Sequence, residues 1–214
     1  MKMVDNNMGI KVVIFDCDGV MFDSREANEA YYNTILERFG KPKMDRRQSE
    51  YVHMNTATQS VAFLFQGDPR VAEALAFREE MNYASFIPMM RMEPYLRTLL
   101  SKLTYRYKTA IATNRSDTMN SVLEKHRLTE SFDMVVSSLD VPSPKPAPDA
   151  LLKILEHFGF RRREAVYIGD SKIDELTARA AGVPFIAYKN SQLSANRHVN
   201  HFKELETWLF YESG

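Results

Sequence analysis

The stretch "IKVVIFDCDGVMFD", residues 10–23, places three carboxylates within eight residues, directly after a short apolar run. The acids are Asp16, Asp18 and Asp23, and Gly19 stands among them. The apolar run is typical of a strand that is buried on both faces. Because glycine adopts backbone conformations that other residues avoid, Gly19 allows a tight turn that approaches a ligand closely. The stretch is therefore a candidate catalytic or metal site, although Asp and Gly are also ordinary turn residues.

Polar residues also follow later segments of the chain that are predicted to be strands. "TAIATN" ends in Thr113 and Asn114, and a Pro-rich loop after "FDMVVSS" presents Lys145 just before a helix. "AVYIGD" ends in Asp170, and Asp174 lies one helical turn further on. Ligands of open parallel sheets bind at the carboxyl ends of the strands, which lie along one edge. We therefore expect these residues to lie beside the acids of the first segment.

The predicted cluster suits a divalent cation and a phosphoryl group. Four acids would repel one another without a cation, and a small set of oxygen ligands completed by water suits Mg2+. The four are Asp16, Asp18, Asp170 and Asp174. With Lys145 and a hydroxyl beside backbone amides, such a cation would hold a phosphoryl group. A carboxylate near the metal can attack phosphorus and form an acyl phosphate. Asp18 is placed to protonate the leaving oxygen and later to deprotonate the attacking water.

Strands alternate with helices only after Pro94. This alternation predicts a mostly parallel, doubly wound sheet of the α/β class. About 70 residues separate the first strand from this region, and they show helical patterns without a convincing strand. We therefore predict an α/β core formed by residues 1–22 and 92–214, with a smaller helical cap domain at residues 23–91. The inserted residues could instead pack as part of a single domain.

Composition argues against several classes of protein. The 214-residue chain has 28 Lys and Arg against 28 Asp and Glu, so bulk charge favours neither nucleic acid nor a membrane surface as a partner. No apolar run approaches the roughly 18 residues of a membrane span, and residues 1–9 lack the apolar stretch of an export leader. The single cysteine, Cys17, excludes an internal disulfide and fits a reducing compartment. We expect a cytoplasmic protein, a monomer or weak homodimer, that binds neither nucleic acid nor membrane.

The ordered set of polar residues resembles the four motifs of the haloacid dehalogenase superfamily. "DCDGVMFD" is similar to the first motif, Asp-x-Asp-Gly-x-x-x-Asp, and "IATN", "KPAPD" and "GDSKIDELTARAAG" are similar to the second, third and fourth. The position and helical character of residues 23–91 also resemble the cap of the phosphoglycolate phosphatase and beta-phosphoglucomutase branch. The resemblance implies a Rossmann-like α/β core with a smaller α-helical cap.

The resemblance implies a role for each matching residue. Asp16 would be the nucleophile and a Mg2+ ligand, while Asp18 would be the general acid and base and would bind the metal through its backbone carbonyl. Asp170 would bind Mg2+ directly, and Asp174 would act through water or hydrogen bonds. Lys145 would neutralise charge on Asp16 and on the phosphoryl group. The implied phosphate-binding residues are Gly19, Thr113, Asn114 and Lys145.

The implied activity is a Mg2+-dependent phosphatase for a small phosphorylated metabolite of the phosphoglycolate or sugar-phosphate type, acting through an aspartyl phosphate. Asp18 favours phosphate esters, because dehalogenases, phosphonatases and P-type ATPases resemble this layout but lack the second aspartate. A sugar-phosphate mutase of the beta-phosphoglucomutase type is an alternative, since it uses the same pair of aspartates. A phospho-receiver signalling module is a third hypothesis, but such modules are shorter and lack a large insertion after the first strand.

The stretch "YVHMNTATQS", residues 51–60, is a polar interruption between apolar segments of the predicted cap. In relatives a loop at about this place faces the active site, so His53, Asn55 and Thr56 are candidates for substrate selection. An ordinary connection between two helices is the alternative interpretation. Asp23 and Ser24 are interpreted as capping residues of the first helix of the insertion.

Overall fold

The computed structural model describes residues 9–211, and residues 1–8, where the sequence predicts no export leader, lie outside the described part. The strands in that range are β1 (Val12–Phe15), β2 (Phe22–Asp23), β3 (Arg91–Met92), β4 (Lys108–Ala112), β5 (Met134–Val136), β6 (Ala165–Gly169), β7 (Phe185–Tyr188) and β8 (Arg197–Val199). The helices are α1 (Arg25–Arg38), α2 (Arg46–Met54), α3 (Ala57–Leu64), α4 (Val71–Glu80), α5 (Leu96–Leu103), α6 (Met119–Lys125), α7 (Asp149–Phe158), α8 (Lys172–Ala181) and α9 (Phe202–Phe210). Between residues 9 and 211 no helix has both the length and the apolar character needed to cross a membrane.

Six of these strands form one sheet in the order β5-β4-β1-β6-β7-β8, and each neighbouring pair is parallel. The three central strands are in phase, since Phe15 at the end of β1 lies opposite Ile111 of β4 and Ile168 of β6. The chain therefore leaves these strands at one common edge. All four residues of β1 are fully buried, as the apolar run predicts for a central parallel strand.

Helices cover both faces of the sheet. Val13 and Phe15 of β1 belong to one apolar cluster, together with residues of α5, α6 and α9. Val12 and Ile14 belong to a second cluster, with residues of α7 and α8. Successive side chains of a strand point to opposite faces, so β1 contributes to both layers. The predicted fold class, a mostly parallel α/β sheet flanked by helices, is confirmed.

Along the chain, helices α1 to α4 come after β2 and before β3. These two strands form a short antiparallel ribbon, in which Phe22 of β2 pairs with Met92 of β3 and Asp23 pairs with Arg91. The first apolar cluster continues from the sheet into α1 and α3. The sequence prediction of no strand in this region missed β3, because two residues are too few to show an alternating pattern. The division into a core and a cap domain, with boundaries at residues 22 and 92, stays a prediction.

Two further elements differ from the sequence prediction. β8 extends the sheet beside β7, and its three residues were too few to be recognised as a strand. The stretch "SDTMNSVLEKH" predicts a helix that begins at Ser116, whereas α6 begins three residues later, at Met119. The Ser116 hydroxyl donates a hydrogen bond to the carboxylate of Asp117 at 2.8 Å, and the chain forms a turn before the helix begins.

We expect Leu151→Ala to lower the free energy of unfolding by about 2–5 kcal/mol, because removing a fully buried side chain loses transfer free energy and leaves a cavity. Leu151 is 0% exposed and packs in the second apolar cluster. Leu139, which is 69% exposed, is the matched control, and Leu139→Ala should change stability by less than about 0.5 kcal/mol. Urea unfolding measures both, and equal losses would contradict the packing described for α7.

Candidate active site

The turn after β1 brings Asp16 and Asp170 to the same place. The Asp16 amide donates a hydrogen bond to the carbonyl of Ile168 at 2.9 Å, which ties the end of β1 to β6. Gly19 has a φ of +79°, and a Cβ atom on it would lie 2.1 Å from Oδ2 of Asp170. A side chain at this position would therefore be both strained and in collision with the carboxylate. Gly19 contributes by leaving this space free for Asp170, and it is not among the residues that line the cavity at this edge of the sheet.

The structure brings three of the four predicted metal-binding acids together. Carboxylate oxygens of Asp16, Asp170 and Asp174 lie within 4.8 Å of one another. Gly169 allows this approach, because a Cβ atom on it would lie 2.3 Å from the Cβ of Asp174. Ser171 caps α8, and its hydroxyl donates to Asp174 Oδ2 at 2.6 Å. The side chain of Asp18, the fourth acid, contacts a different set of partners.

Lys145 supplies the positive charge inside this cluster. Its Nζ atom lies 2.8 Å from Oδ1 of Asp16, and it donates hydrogen bonds to Oδ1 of Asp174 at 2.7 Å and to the Tyr167 hydroxyl at 3.0 Å. Asn114 holds the loop that carries it, because Asn114 Oδ1 accepts from the Lys145 amide at 2.9 Å and Nδ2 donates to the Lys145 carbonyl at 3.1 Å. The side chain of Asn114 thus positions the lysine.

The cluster contains more acids than Lys145 can neutralise. Burial raises the pKa of Asp16 to about 7, although the Lys145 ammonium opposes the shift. Burial also raises the pKa of Asp170 well above its usual range, and the charges of Asp174 and Asp16 add to this. For Asp174 the effect of burial is outweighed by the ammonium, which leaves its pKa lowered. Lys145 alone therefore does not keep both Asp16 and Asp170 ionised, and a second cation at this edge of the sheet would favour their ionised forms.

These residues fit a magnesium ion. Oδ1 of Asp16 is buried and, beyond its ion pair with Lys145, has no hydrogen-bond partner between residues 9 and 211, so it retains a lone pair for coordination. Carboxylate oxygens are the ligands that Mg2+ prefers, usually one or two of them with water and phosphate oxygens completing the octahedron. Asp16 and Asp170 would be direct ligands, whereas Oδ1 and Oδ2 of Asp174 are already engaged by Lys145 and Ser171.

Asp18 lies in a different electrostatic environment from its neighbour two residues earlier. Oδ1 of Asp18 accepts from Nη2 of Arg115 at 2.7 Å and also from the Ser24 hydroxyl. Burial raises the pKa of Asp18, but the Arg115 guanidinium outweighs burial and the pKa lies below its usual range. Ser24 occupies the N-cap position of α1 yet makes no capping hydrogen bond, so its predicted capping role is wrong. Its hydroxyl orients Asp18 instead.

Arg115 is a buried site residue that the sequence analysis missed. Its Nη1 atom donates to the Thr118 hydroxyl at 3.1 Å, and Nη2 lies 3.0 Å from the Tyr83 hydroxyl and 3.5 Å from Oδ1 of Asn28. The guanidinium carbon lies 4.8 Å from the centre of the Tyr83 ring, a favourable cation–π distance. The available signal was its place directly after Thr113 and Asn114 in "IATNRSD". Arg115 thus connects the sheet edge to the insertion.

A cavity of about 50 Å³ lies between the sheet edge and the inserted helices. The predicted residues that line it are Asp16, Asp18, His53, Asn55, Thr113, Asn114, Lys145 and Asp170. Asp174 and Gly19 are not among the lining residues. Thr56 is not in the lining, because it caps α3 and its hydroxyl accepts from the Gln59 amide at 3.3 Å. Further lining residues that the sequence analysis did not select include Asn28, Tyr31, Arg78, Tyr83 and Arg115.

The chain is similar to known proteins over most of its length. The family model described as haloacid dehalogenase-like hydrolase matches residues 13–188. A phosphoglycolate phosphatase from Chromobacterium violaceum is 30% identical over 211 residues, which cover 92% of this chain and 95% of that protein. Pyrophosphatase PpaX from Halalkalibacterium halodurans is 29% identical over 181 residues, 82% of each chain. The crystal structure of a HAD-superfamily hydrolase, subfamily IA, from Geobacter sulfurreducens has a TM-score of 0.83 and 40% identity, and the match covers 94% of this chain and 100% of that one.

We expect Arg115→Met to lower the free energy of unfolding by about 3–5 kcal/mol at pH 7, because the buried Asp18 carboxylate loses its cationic partner. When Asp18→Asn is already present, the same substitution should cost at least about 1 kcal/mol less, since contacting residues are not additive. Urea unfolding of the four proteins measures this coupling.

The exposed ion pair between Arg91 and Glu26 is the matched control for that cycle. Its side chains are 75% and 59% exposed and lie 3.0 Å apart. Arg91→Met and Glu26→Gln should show a coupling of less than about 1 kcal/mol, because water screens exposed pairs. Equal coupling in the two cycles would contradict the buried arrangement of Arg115.

Proposed function

Because the chain belongs to the haloacid dehalogenase-like hydrolase family, we propose that it is a Mg2+-dependent phosphatase of a small phosphorylated metabolite, of the phosphoglycolate or sugar-phosphate type. The observation that carries the proposal is the convergence of Asp16, Asp170 and Lys145 on one cavity at the carboxyl edge of the sheet. The relatives named phosphoglycolate phosphatase and pyrophosphatase support hydrolysis of a phosphate bond.

In this proposal Asp16 and Asp170 would hold Mg2+ through their carboxylates and Asp18 through its backbone carbonyl, and Asp174 would support the site through hydrogen bonds. When bound, Mg2+ would offset the negative charge of the phosphoryl group and of the carboxylate that approaches it. Lys145 contributes a second positive charge at the same point, because its Nζ atom lies beside Asp16. The buried hydroxyl of Thr113 and the amide of Asn114 would bind phosphoryl oxygens, whereas Gly19, predicted for the same role, lies outside the cavity lining.

The proposed reaction has two steps. In the first, an Asp16 oxygen forms a bond to phosphorus, the bond from phosphorus to the ester oxygen breaks, and Asp18 in its protonated form gives a proton to the leaving oxygen. In the second, water attacks phosphorus, the bond from phosphorus to the Asp16 oxygen breaks, and Asp18 in its ionised form takes a proton from that water. Inorganic phosphate is then released, and Asp18 is protonated again. Arg115 and Ser24 favour the ionised form of Asp18, which is the form that the second step requires.

We further propose that residues 23–91 act as a cap over a core formed by residues 1–22 and 92–214. The ribbon of β2 and β3 is a suitable hinge, since both connections between the two parts pass through it. A closed cap would exclude bulk water while the leaving group departs and would open for product release. His53 and Asn55 line the cavity from the insertion, and we propose that they contact the leaving group.

Hydrolysis is better supported than the two alternatives. A sugar-phosphate mutase would use the same aspartates, but the Chromobacterium and Halalkalibacterium relatives are both named as phosphatases. Incubation with a hexose 1-phosphate separates the two activities, since a phosphatase releases inorganic phosphate and a mutase yields an isomeric sugar phosphate. A phospho-receiver module gains no support from these comparisons. Rapid turnover of p-nitrophenyl phosphate would exclude it, because a receiver retains its phosphoryl group as a signal.

We expect Asp16→Asn to reduce kcat for p-nitrophenyl phosphate by about 10⁴-fold or more, because the amide cannot attack phosphorus. Circular dichroism should show the fold intact. Asp23→Asn is the matched control, since Asp23 is an exposed acid outside the cavity lining, and its activity should stay within about twofold of wild type. Turnover near the wild-type value in Asp16→Asn would refute the assignment of the nucleophile.

Removal of divalent cations should abolish ester hydrolysis. We expect EDTA to stop release of inorganic phosphate and excess Mg2+ to restore it, because the surplus acids around Asp16 need a cation before a phosphoryl group can approach. Asp170→Asn should raise the Mg2+ concentration needed for half-maximal activity by about tenfold or more. Hydrolysis that continues unchanged in EDTA would overturn the proposed metal site.

A further inference from the structure

The cavity lining carries charges of both signs. The sheet edge contributes the acids and Lys145, and the lining also includes two guanidinium groups, those of Arg78 and Arg115. Arg78 belongs to α4 of the insertion, and Arg115 follows β4 of the sheet. None of the steps proposed above gives either guanidinium a contact with the substrate.

Both guanidiniums hold an unused donor. Five buried side-chain polar atoms between residues 9 and 211 lack a hydrogen-bond partner, and three of them belong to residues that line this cavity. The three are Asp16 Oδ1, Arg78 Nε and Arg115 Nε. A buried N–H group without an acceptor is unfavourable, so such groups are typically completed by a ligand or water. Because Arg78 and Arg115 both line the cavity, an acidic group bound in it is a suitable acceptor for their N–H groups.

Hydrogen bonds from terminal nitrogens hold both arginines in place. Nη2 of Arg78 donates to Oδ1 of Asp117 at 2.5 Å and to the Ser116 hydroxyl at 3.0 Å. Nη1 and Nη2 of Arg115 are engaged by Thr118, Tyr83 and Asp18. These contacts fix the planes of both guanidiniums and leave their Nε donors for another group. Rigid donors lose little conformational entropy when a ligand binds.

An acidic group matches these donors better than a hydroxyl does. Guanidinium groups donate hydrogen bonds and accept none, and ionised carboxylate or phosphate oxygens accept and do not donate. A hydroxyl would bring a hydrogen atom for which neither guanidinium provides an acceptor. Charge-assisted hydrogen bonds to arginine are also stronger than neutral ones.

We infer that Arg78 and Arg115 determine substrate specificity by binding a second acidic group, a carboxylate or a phosphate, on the leaving group of the phosphate ester. This inference rests on the proposed phosphatase function, because it assumes that the reacting phosphoryl group occupies the end of the cavity at Asp16. An acidic group bound by both arginines would connect the insertion to the sheet, since Arg78 belongs to the insertion and Arg115 follows a strand of the sheet. Neutral sugar phosphates would lack this contact.

The wild-type enzyme tests the inference without any mutation. A two-carbon phosphate monoester that carries a carboxylate and the same ester with the carboxylate methylated differ in charge at one end only. We expect kcat/KM to be at least about tenfold higher for the charged ester, as one charge-assisted contact is worth. The leaving group of pyrophosphate is a phosphate. Comparing kcat/KM for pyrophosphate with kcat/KM for the carboxylate ester shows whether the site prefers a phosphate or a carboxylate.

Arg78→Met tests the residue itself. The ratio of kcat/KM for the carboxylate ester to that for its methyl ester should fall at least about tenfold, mainly through KM. Arg78→Lys keeps the charge without the planar fork and should restore only part of the ratio. Arg91→Met, which removes an exposed arginine at the base of the insertion, is the matched control and should leave the ratio unchanged.

The outcomes separate this inference from the proposed function. A wild-type enzyme that hydrolyses phosphate monoesters but favours the methyl ester or a neutral sugar phosphate overturns the inference alone. An unchanged ratio in Arg78→Met, in a protein with a wild-type circular dichroism spectrum, overturns it as well. A wild-type enzyme that hydrolyses none of these compounds in the presence of Mg2+ overturns both.

Discussion

A single ammonium group, that of Lys145, sits between the buried carboxylates of Asp16 and Asp174. Burying an acid without a partner is costly, and the lysine makes the close approach of β1 and α8 possible. It does not neutralise every acid, since Asp170 lies in the same cluster. This shortage of positive charge is the property that the proposed chemistry uses, because it favours a divalent cation at the place where an anionic substrate has to bind.

Several neighbouring features exist to keep this charged group in place. The Asn114 side chain bonds both the amide and the carbonyl of Lys145, so the loop cannot turn the ammonium away. The Tyr167 hydroxyl lies within hydrogen-bond distance of both Lys145 and Asp174. Gly19 and Gly169 lack the side chains that would hold the acids apart. Rigidity of this kind lets a site stabilise a developing charge without reorganising during the reaction.

The sheet and the residues at its edge could be predicted from the sequence, because the signals for them are local. The apolar run of β1 ends directly before Asp16, and β4 and β6 end directly before Thr113 and Asp170. In a parallel sheet with strands in phase, those ends must coincide. The four motifs therefore indicated both the fold and the place where its polar residues meet.

The contacts of Arg115 could not be predicted, because its partners come together only in three dimensions. Arg115 binds Asp18, which is 97 residues away in sequence, and Tyr83, which is 32 residues away. Ser24 illustrates the same limit, since a serine before a helix normally caps it, whereas in this chain Asp18 competes for the hydroxyl. Short elements such as β3 escaped prediction because two residues are too few to show an alternating pattern.

The antiparallel pairing of Phe22 with Met92 places the two ends of the inserted segment side by side. The distance between these two ends is therefore set by the ribbon and does not depend on the number of residues in the inserted segment. Evolution can exchange or lengthen the inserted helices, and so change which molecules are accepted, without disturbing the register of the strands that hold the acids.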